Sequence, residues 1–284
     1  MLARILLRGA AAFVVSVGIT VSAYAQDALE RVQSDGIRIG FNNEAPFIFK
    51  QEDGSLAGAD YDLLKLALER LGVTQFEGVL VNFGSLIPGI QARRFDMIAA
   101  GLYIRPKRCD QVLFSQPNLA LSDTLVVRPG NPKNLHSFQD VIGNSDVKIG
   151  GGVGSGLTKN AQNAGVPEEQ LVQFPDIVSN LAALKAGRID GTMLITVTAR
   201  WNAKNDPKIE VADPWAGYIE NGKRKVDHAA FAFNTEDQDL RDAFNAELTK
   251  IIGTDAHLEI LQRYGMTAQE FPAEGMTTAK LCQE

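Results

Sequence analysis

Basic clusters, paired histidines and long apolar runs are what this 284-residue chain lacks. Lys and Arg number 28 against 34 Asp and Glu, a formal charge of −6 with no basic run. That balance argues against nucleic acid or anionic lipid as partner, since both are held by clustered cations that displace counterions. The three histidines, His136, His228 and His257, show no H-x-x-x-H or Cys/His spacing. Neither a metal site nor a histidine acid–base relay is expected, and no cofactor is implied. The run Gly150-Gly151-Gly152-Val153-Gly154-Ser155-Gly156 fits none of G-x-G-x-x-G, the P-loop or G-x-S-x-G. It reads either as a strand-to-helix turn or as amides that receive an anion or carboxylate at a helix start.

Past residue 25 no stretch approaches the roughly 18 apolar residues of a membrane span. Before it, Arg4 and Arg8 flank an apolar run from Ala10 to Val21 that closes on Ala23-Tyr24-Ala25. A positive n-region, an apolar h-region and an A-x-A site predict a cleaved secretory signal over residues 1–25 and a periplasmic product. Removing 25 residues from 284 leaves 259, and losing two arginines moves the charge from −6 to −8. The two cysteines, Cys109 and Cys282, then lie in an oxidising compartment. One disulfide tethering the C-terminal tail near Arg108 is the simple reading, two free thiols the alternative.

What is present is an alternation of short strands with amphipathic helices, the mark of α/β layers on mostly parallel sheets. Ile37–Phe41 alternates as a strand, Leu63, Leu64, Ala67, Leu68 and Leu71 form a helical stripe, and Val79–Val81, Leu86–Ala92 and Met97–Ala100 continue βαβαβ. Beyond Thr124–Val127, the punctuation Pro129-Gly130-Asn131-Pro132 precedes a restart at Val147-Lys148-Ile149-Gly150. Ala92-Arg93-Arg94-Phe95-Asp96-Met97 is echoed by Ala186-Gly187-Arg188-Ile189-Asp190-Gly191. Two similar lobes follow: residues 26–126 begin the first, 127–228 form the second, and 229–284 return to the first with the tail. Two crossings make a hinge, and a cleft between hinged lobes takes small ligands.

Loops after the C-terminal ends of parallel strands are where such lobes present functional side chains. Phe47, Phe83 and Tyr103 follow the first three strands; Glu44 precedes Phe47 by three residues and Arg108 follows Tyr103 by five. Each aromatic read singly is more often a core residue than a ligand contact. Read together, aromatic faces and Glu44 suit an organic cation and the Arg108 fork suits a carboxylate, a zwitterion site.

The mature chain resembles the periplasmic polar amino-acid-binding family of ABC importers over essentially its whole length. The likeness rests on Gly58–Leu71, on Ile87-Pro88-Gly89 leading to Phe95-Asp96, and on Tyr103–Phe114. Asn43-Glu44-Ala45-Pro46-Phe47, Phe83-Gly84 and Pro106-Lys107-Arg108-Cys109 are similar to its ectoine/hydroxyectoine-binding members. The resemblance implies a two-lobed periplasmic binding protein fold joined by a two-strand hinge, working as a monomer that delivers its ligand to a permease and not as an enzyme. It implies Phe47, Phe83 and Tyr103 as an aromatic box, Glu44 for ligand nitrogens and Arg108 for the carboxylate; in the binding reading, Gly154 and Ser155 of the Gly-rich turn close over that carboxylate from the second lobe. Phe83 and Tyr103 stand exchanged relative to that pattern, and Gly191–Thr196 lacks the carboxylate that typical amino-acid binders carry there. Polar or basic amino acids and betaines remain alternative ligands, and an exported dehydratase with Glu44 as its acid or base, or a receptor-coupled sensor, alternative roles.

Overall fold

The computed structural model describes residues 27–283. The predicted signal segment lies outside the described residues. Two five-stranded sheets carry the fold. In the first, Phe76–Leu80, Ile37–Phe41, Met97–Ile98, Ala232–Phe233 and Leu113–Phe114 lie side by side; in the second, Leu171–Phe174, Ile149–Gly152, Gly191–Ile195, Asp123–Val127 and Glu210–Val211. In each sheet three parallel strands are followed by one that runs antiparallel to both its neighbours, so that the fifth again runs with the first three, the same pattern twice.

The echoed hexapeptides explain that repetition. Arg93 (φ 53°) and Gly187 (φ 69°) take the left-handed conformation that ends a helix, and the chain then enters the third parallel strand. There Asp96 and Asp190 play one role. Asp96 N–H donates to Arg38 O and its carboxylate accepts from Arg38 N, while Asp190 does the same with Lys148. Each aspartate thus pins its strand to the start of the central one.

Side-chain chemistry accounts for the layers. The helix Ala59–Glu69 buries Leu63, Leu64, Ala67 and Leu68 against the first sheet, and Gln238–Leu248 adds Leu240, Phe244 and Leu248 on its own inward face. Gly40 and Gly89 lie where an added Cβ would stand 2.4–2.6 Å from the Phe95 ring. Only bare backbone lets this buried phenylalanine sit between strand and helix.

The segment expected to close the first lobe at residue 126 belongs to the second sheet: Asp123–Val127 pairs with Gly191–Ile195 along five residue pairs. An apolar run fits either sheet equally well, so periodicity has no power to place it. The crossing itself is the ladder of Leu119–Leu121 with Asp227–Ala229, three antiparallel pairs from Leu121 opposite Asp227 to Leu119 opposite Ala229. The chain changes lobes just after the first of these strands and returns through the second.

Cys109 and Cys282 are bridged, with Cα atoms 5.8 Å apart. The bridge brings the last helix, Thr278–Leu281, onto the short helix Pro106–Cys109, and Leu281 fills the cluster of Ile104, Val112 and Ala230. The cross-link closes a sequence separation of 173 residues. Replacing both cysteines by alanine is expected to cost about 2–5 kcal/mol of stability. Denaturant unfolding of the wild type and the double variant, compared at equal slope, measures that loss.

Candidate functional site

Six strand ends converge between the lobes. Asn42 follows Ile37–Phe41, Phe83 follows Phe76–Leu80, and Ala100 and Gly101 follow Met97–Ile98. From the second lobe Gly152 and Ser155, Pro175, and Ile195 stand at the equivalent positions. Together with Glu44, Tyr103, Asn180 and Met193 they enclose a cavity of about 60 Å³. The second-lobe wall is mostly apolar, formed by Leu157, Ile177, Met193, Leu194 and Ile195, with Ser155, Asp176 and Asn180 as its polar groups.

Glu44 is 8% exposed and lies at the junction. Its carboxylate accepts from Asn42 Nδ2 at 3.0 Å and, across the lobes, from Thr198 Oγ1 at 2.9 Å. Burial pushes its pKa above the ordinary carboxylate range, and the two hydrogen bonds offset only part of that push. Tyr103 is 3% exposed and its hydroxyl is buried without a partner. Burial lifts the phenol well above its usual value, so it stays a neutral donor. An unpartnered buried hydroxyl is costly and marks a place where a ligand acceptor would restore a bond. Asn42 Oδ1 and Asn180 Oδ1 are two more buried oxygens without partners.

The structure separates the expected site residues into two groups. Glu44, Phe83, Tyr103 and Ser155 line the cavity together. Phe47 does not: a turn in which Phe47 N–H donates to Glu44 O drives its ring into the core, fully buried, where a Cβ on Gly101 would touch it at 3.3 Å. Phe47 backs the cavity floor beneath Gly101. Arg108 also stands back from the cavity. It spans the lobes beside it, donating from Nη1 to Tyr103 O at 2.8 Å and from Nη2 to Gly154 O at 2.9 Å, with its guanidinium 5.6 Å from the centre of the Phe83 ring. Burial, with Arg105 nearby, lowers its pKa to about 10, so it stays charged at neutral pH. Gly154 likewise lies outside the lining and contributes its carbonyl to Arg108. Ser155 caps the helix Gly156–Asn163 by accepting from Leu157 N at 3.2 Å.

Further polar contacts hold the lobes together. Arg105 pairs with Asp227 at 2.8 Å and donates to Asn160 Oδ1 at 3.1 Å, while Asn160 Nδ2 donates to Asp227 at 3.0 Å. On the other side of the cavity the Phe49 and Trp201 rings meet at 5.7 Å between centroids. Sequence reasoning missed this closure set. Asn42 could have been found, since it lies one residue past a strand end; Asn160, Asn180 and Thr198 sit within helices and carry no such signal.

A cavity walled by the strand ends of two α/β lobes, crossed by cross-lobe hydrogen bonds and a two-strand hinge, defines a hinged solute-binding protein. The chain belongs to the bacterial extracellular solute-binding proteins, family 3, whose pattern matches residues 37–267. A probable amino-acid ABC transporter periplasmic-binding protein, y4tE of Sinorhizobium fredii, is 36% identical over 258 residues, covering 89% of this chain and 85% of that protein. The crystal structure of EhuB in complex with hydroxyectoine superposes with a TM-score of 0.79 at 36% identity, covering 90% of this chain and 97% of EhuB. The ancestral amino acid-binding protein AncCDT-1, a precursor of cyclohexadienyl dehydratase, superposes at 0.73 with 25% identity over 83% of this chain and 98% of its own. The chain is accordingly the solute-binding component of an amino-acid-type ABC transporter.

The raised pKa of Glu44 has a definite sign for stability. A carboxylate whose folded pKa lies above its unfolded value penalises the folded state fully above the folded pKa, and the penalty vanishes below the unfolded value of about 4.3. Glu44→Gln keeps an acceptor for Asn42 and offers its amide to Thr198. In the ligand-free protein it is expected to raise the melting temperature at pH 8 by about 2–4 °C per kcal/mol relieved. The gain should shrink to nothing near pH 4, and melting curves across pH 4–8 measure it.

Proposed function

We propose that the cavity receives a compact zwitterion with a delocalised cation, ectoine or hydroxyectoine, and that lobe closure presents the loaded protein to a membrane permease. The observation that carries this reading is the pairing of Glu44 with the Phe83 and Tyr103 rings on one wall, opposite a second-lobe wall that ends in Ile195. An α-ammonium group gathers three N–H donors at one point and calls for acceptors from both lobes. A ring amidinium spreads its charge over a flat face and needs one carboxylate at its edge and aromatic surface against its plane. The apolar strand end Met193-Leu194-Ile195 suits the second, while Asp176 and Asn180 are the second-lobe acceptors in the lining that an α-ammonium would use. The likeness to EhuB points the same way.

In this reading Arg108 meets the ligand carboxylate. Its guanidinium already stacks on Phe83 at the cavity margin, and a side-chain rotation that releases Gly154 O brings the fork to the ligand. The Tyr103 hydroxyl supplies a donor within the box that a phenylalanine there would not. Export through residues 1–25 and function as a monomer belong to the same proposal. The second reading, binding of a polar or basic amino acid, draws on the description of the Sinorhizobium relative and uses the same cavity.

Calorimetric titration of the mature protein with ectoine, hydroxyectoine, glycine betaine and a panel of amino acids separates the two. Ectoine or hydroxyectoine is expected to bind most tightly. Glu44→Gln should weaken that binding by about 10- to 100-fold, as loss of a charged hydrogen-bond partner does, and Phe83→Ala by about 5- to 30-fold through the lost cation–π face. Binding of an amino acid with no response to either cyclic solute would overturn the proposal.

A further inference from the structure

One buried carboxylate takes no part in the site described so far. Asp60, the second residue of the helix Ala59–Glu69, is 2% exposed and has no cation against it. Its two oxygens accept from two different regions: Oδ2 from Gly101 N at 3.0 Å and Oδ1 from Asn118 Nδ2 at 2.9 Å. Gly101 lines the ligand cavity in the left-handed conformation, φ 55°. Asn118, 1% exposed, immediately precedes the hinge strand Leu119–Leu121, and its N–H donates to Ala229 O at 2.9 Å on the returning hinge strand.

The loop after Gly101 is stitched to that same strand. Ile104 N–H donates to His228 O at 2.8 Å, Ala230 N–H donates to Leu102 O at 3.1 Å, and Tyr103 bridges Ala229. Cavity loop, outgoing crossing and returning crossing therefore form one hydrogen-bonded unit, and Asp60 holds its two ends. Both partners donate, so only a group with two acceptor oxygens satisfies them; an apolar residue would leave two buried donors unmatched. Burial raises the Asp60 pKa to about 6, against the two hydrogen bonds, so a carboxylate stands here at a cost to stability.

We propose that Asp60 is a positioning residue that couples the cavity to the hinge, so that a ligand seated against Gly101 and Tyr103 biases both crossing strands toward closure. For its ligand it rests on the binding role proposed above; for its mechanics it rests on the bonds just named.

The test uses the full mature chain and a hydrogen-bond swap. In Asp60→Asn one of the two donors faces the new amide N–H₂; in Asp60→Asn/Asn118→Asp the amide accepts from Gly101 and donates to the new carboxylate, restoring the pattern. Hydrogen exchange on the ligand-free protein is expected to show Asp60→Asn speeding exchange about tenfold or more together at residues 101–104, 118–121 and 227–230. Residues 149–152 in the second sheet should be unchanged, and the swap should bring all three segments back. Hydroxyectoine titration should show about tenfold weaker binding in Asp60→Asn and recovery in the swap. Asn118→Ala, which leaves Gly101 bonded to Asp60, is the milder variant should Asp60→Asn fail to fold, and it should loosen the two crossing segments and weaken hydroxyectoine binding. Faster exchange confined to residues 59–63, faster exchange everywhere, no rescue by the swap, or hydroxyectoine affinity unchanged in a variant whose wild type binds it would each overturn the coupling. A wild type that binds no hydroxyectoine would sink the ligand assignment alone, with the exchange pattern still deciding the mechanics.

Discussion

Everything in this molecule hangs on a short antiparallel ladder, three residue pairs between Leu119–Leu121 and Asp227–Ala229, through which both crossings pass. One apolar cluster runs through both lobes, from Ile39 and Phe41 to Ile149 and Met193, yet rotation about so narrow a connection loses few apolar contacts within either sheet. The same narrowness means that the closed arrangement has to be held by contacts made elsewhere. They sit on both flanks of the cavity: Glu44 with Thr198 and Phe49 with Trp201 on one side, Arg105 with Asn160 and Arg108 with Gly154 on the other.

Those contacts are polar or aromatic for a physical reason. An apolar seam between the lobes would hold them shut whether or not a ligand was present, and a ligand can favour closure only through contacts it makes better in the closed form. Hydrogen bonds exchanged with water are individually weak in net terms, so a closed state built from them stays near balance with an open one. A bound molecule that fills the cavity and partners the Tyr103 hydroxyl then has leverage. The disulfide serves this arrangement indirectly, by fastening the tail against the helix that carries Arg108 and follows Arg105.

Much of this was legible in the residues. Alternating strands and amphipathic helices, the Pro129–Pro132 break and the echoed hexapeptides led to two α/β lobes of similar build, because periodicity and turn chemistry are local properties. The placement of loops at strand ends led to Glu44, Phe47, Phe83, Tyr103 and Arg108, of which Glu44, Phe83 and Tyr103 line the cavity, and the Gly-rich turn led to Ser155, which lines it too. What local pattern cannot encode is which of two sheets claims a strand or which way a ring turns after a tight loop. Asp123–Val127 went to the second sheet and Phe47 into the core for those reasons. Cross-lobe partners such as Thr198 and Asn160 were invisible because each pairs with a residue far away in sequence, 154 positions in the first case and 55 in the second.

The distribution of buried charge separates two jobs that sequence alone runs together. Asp227 is buried but has the Arg105 guanidinium at 2.8 Å, so its charge is matched within the closed protein. Glu44 has neutral donors only, from Asn42 and Thr198, and its charge is left uncompensated at the cavity edge. A matched pair stabilises a shape, whereas an unmatched carboxylate beside aromatic faces creates a demand for a cation. The protein holds that demand at a cost to its own stability, and a ligand that supplies the missing positive charge recovers the cost as affinity. In the binding role proposed above, the uncompensated carboxylate at the cavity edge, and not the matched pair of Asp227 with Arg105, is where selectivity for a cationic group originates.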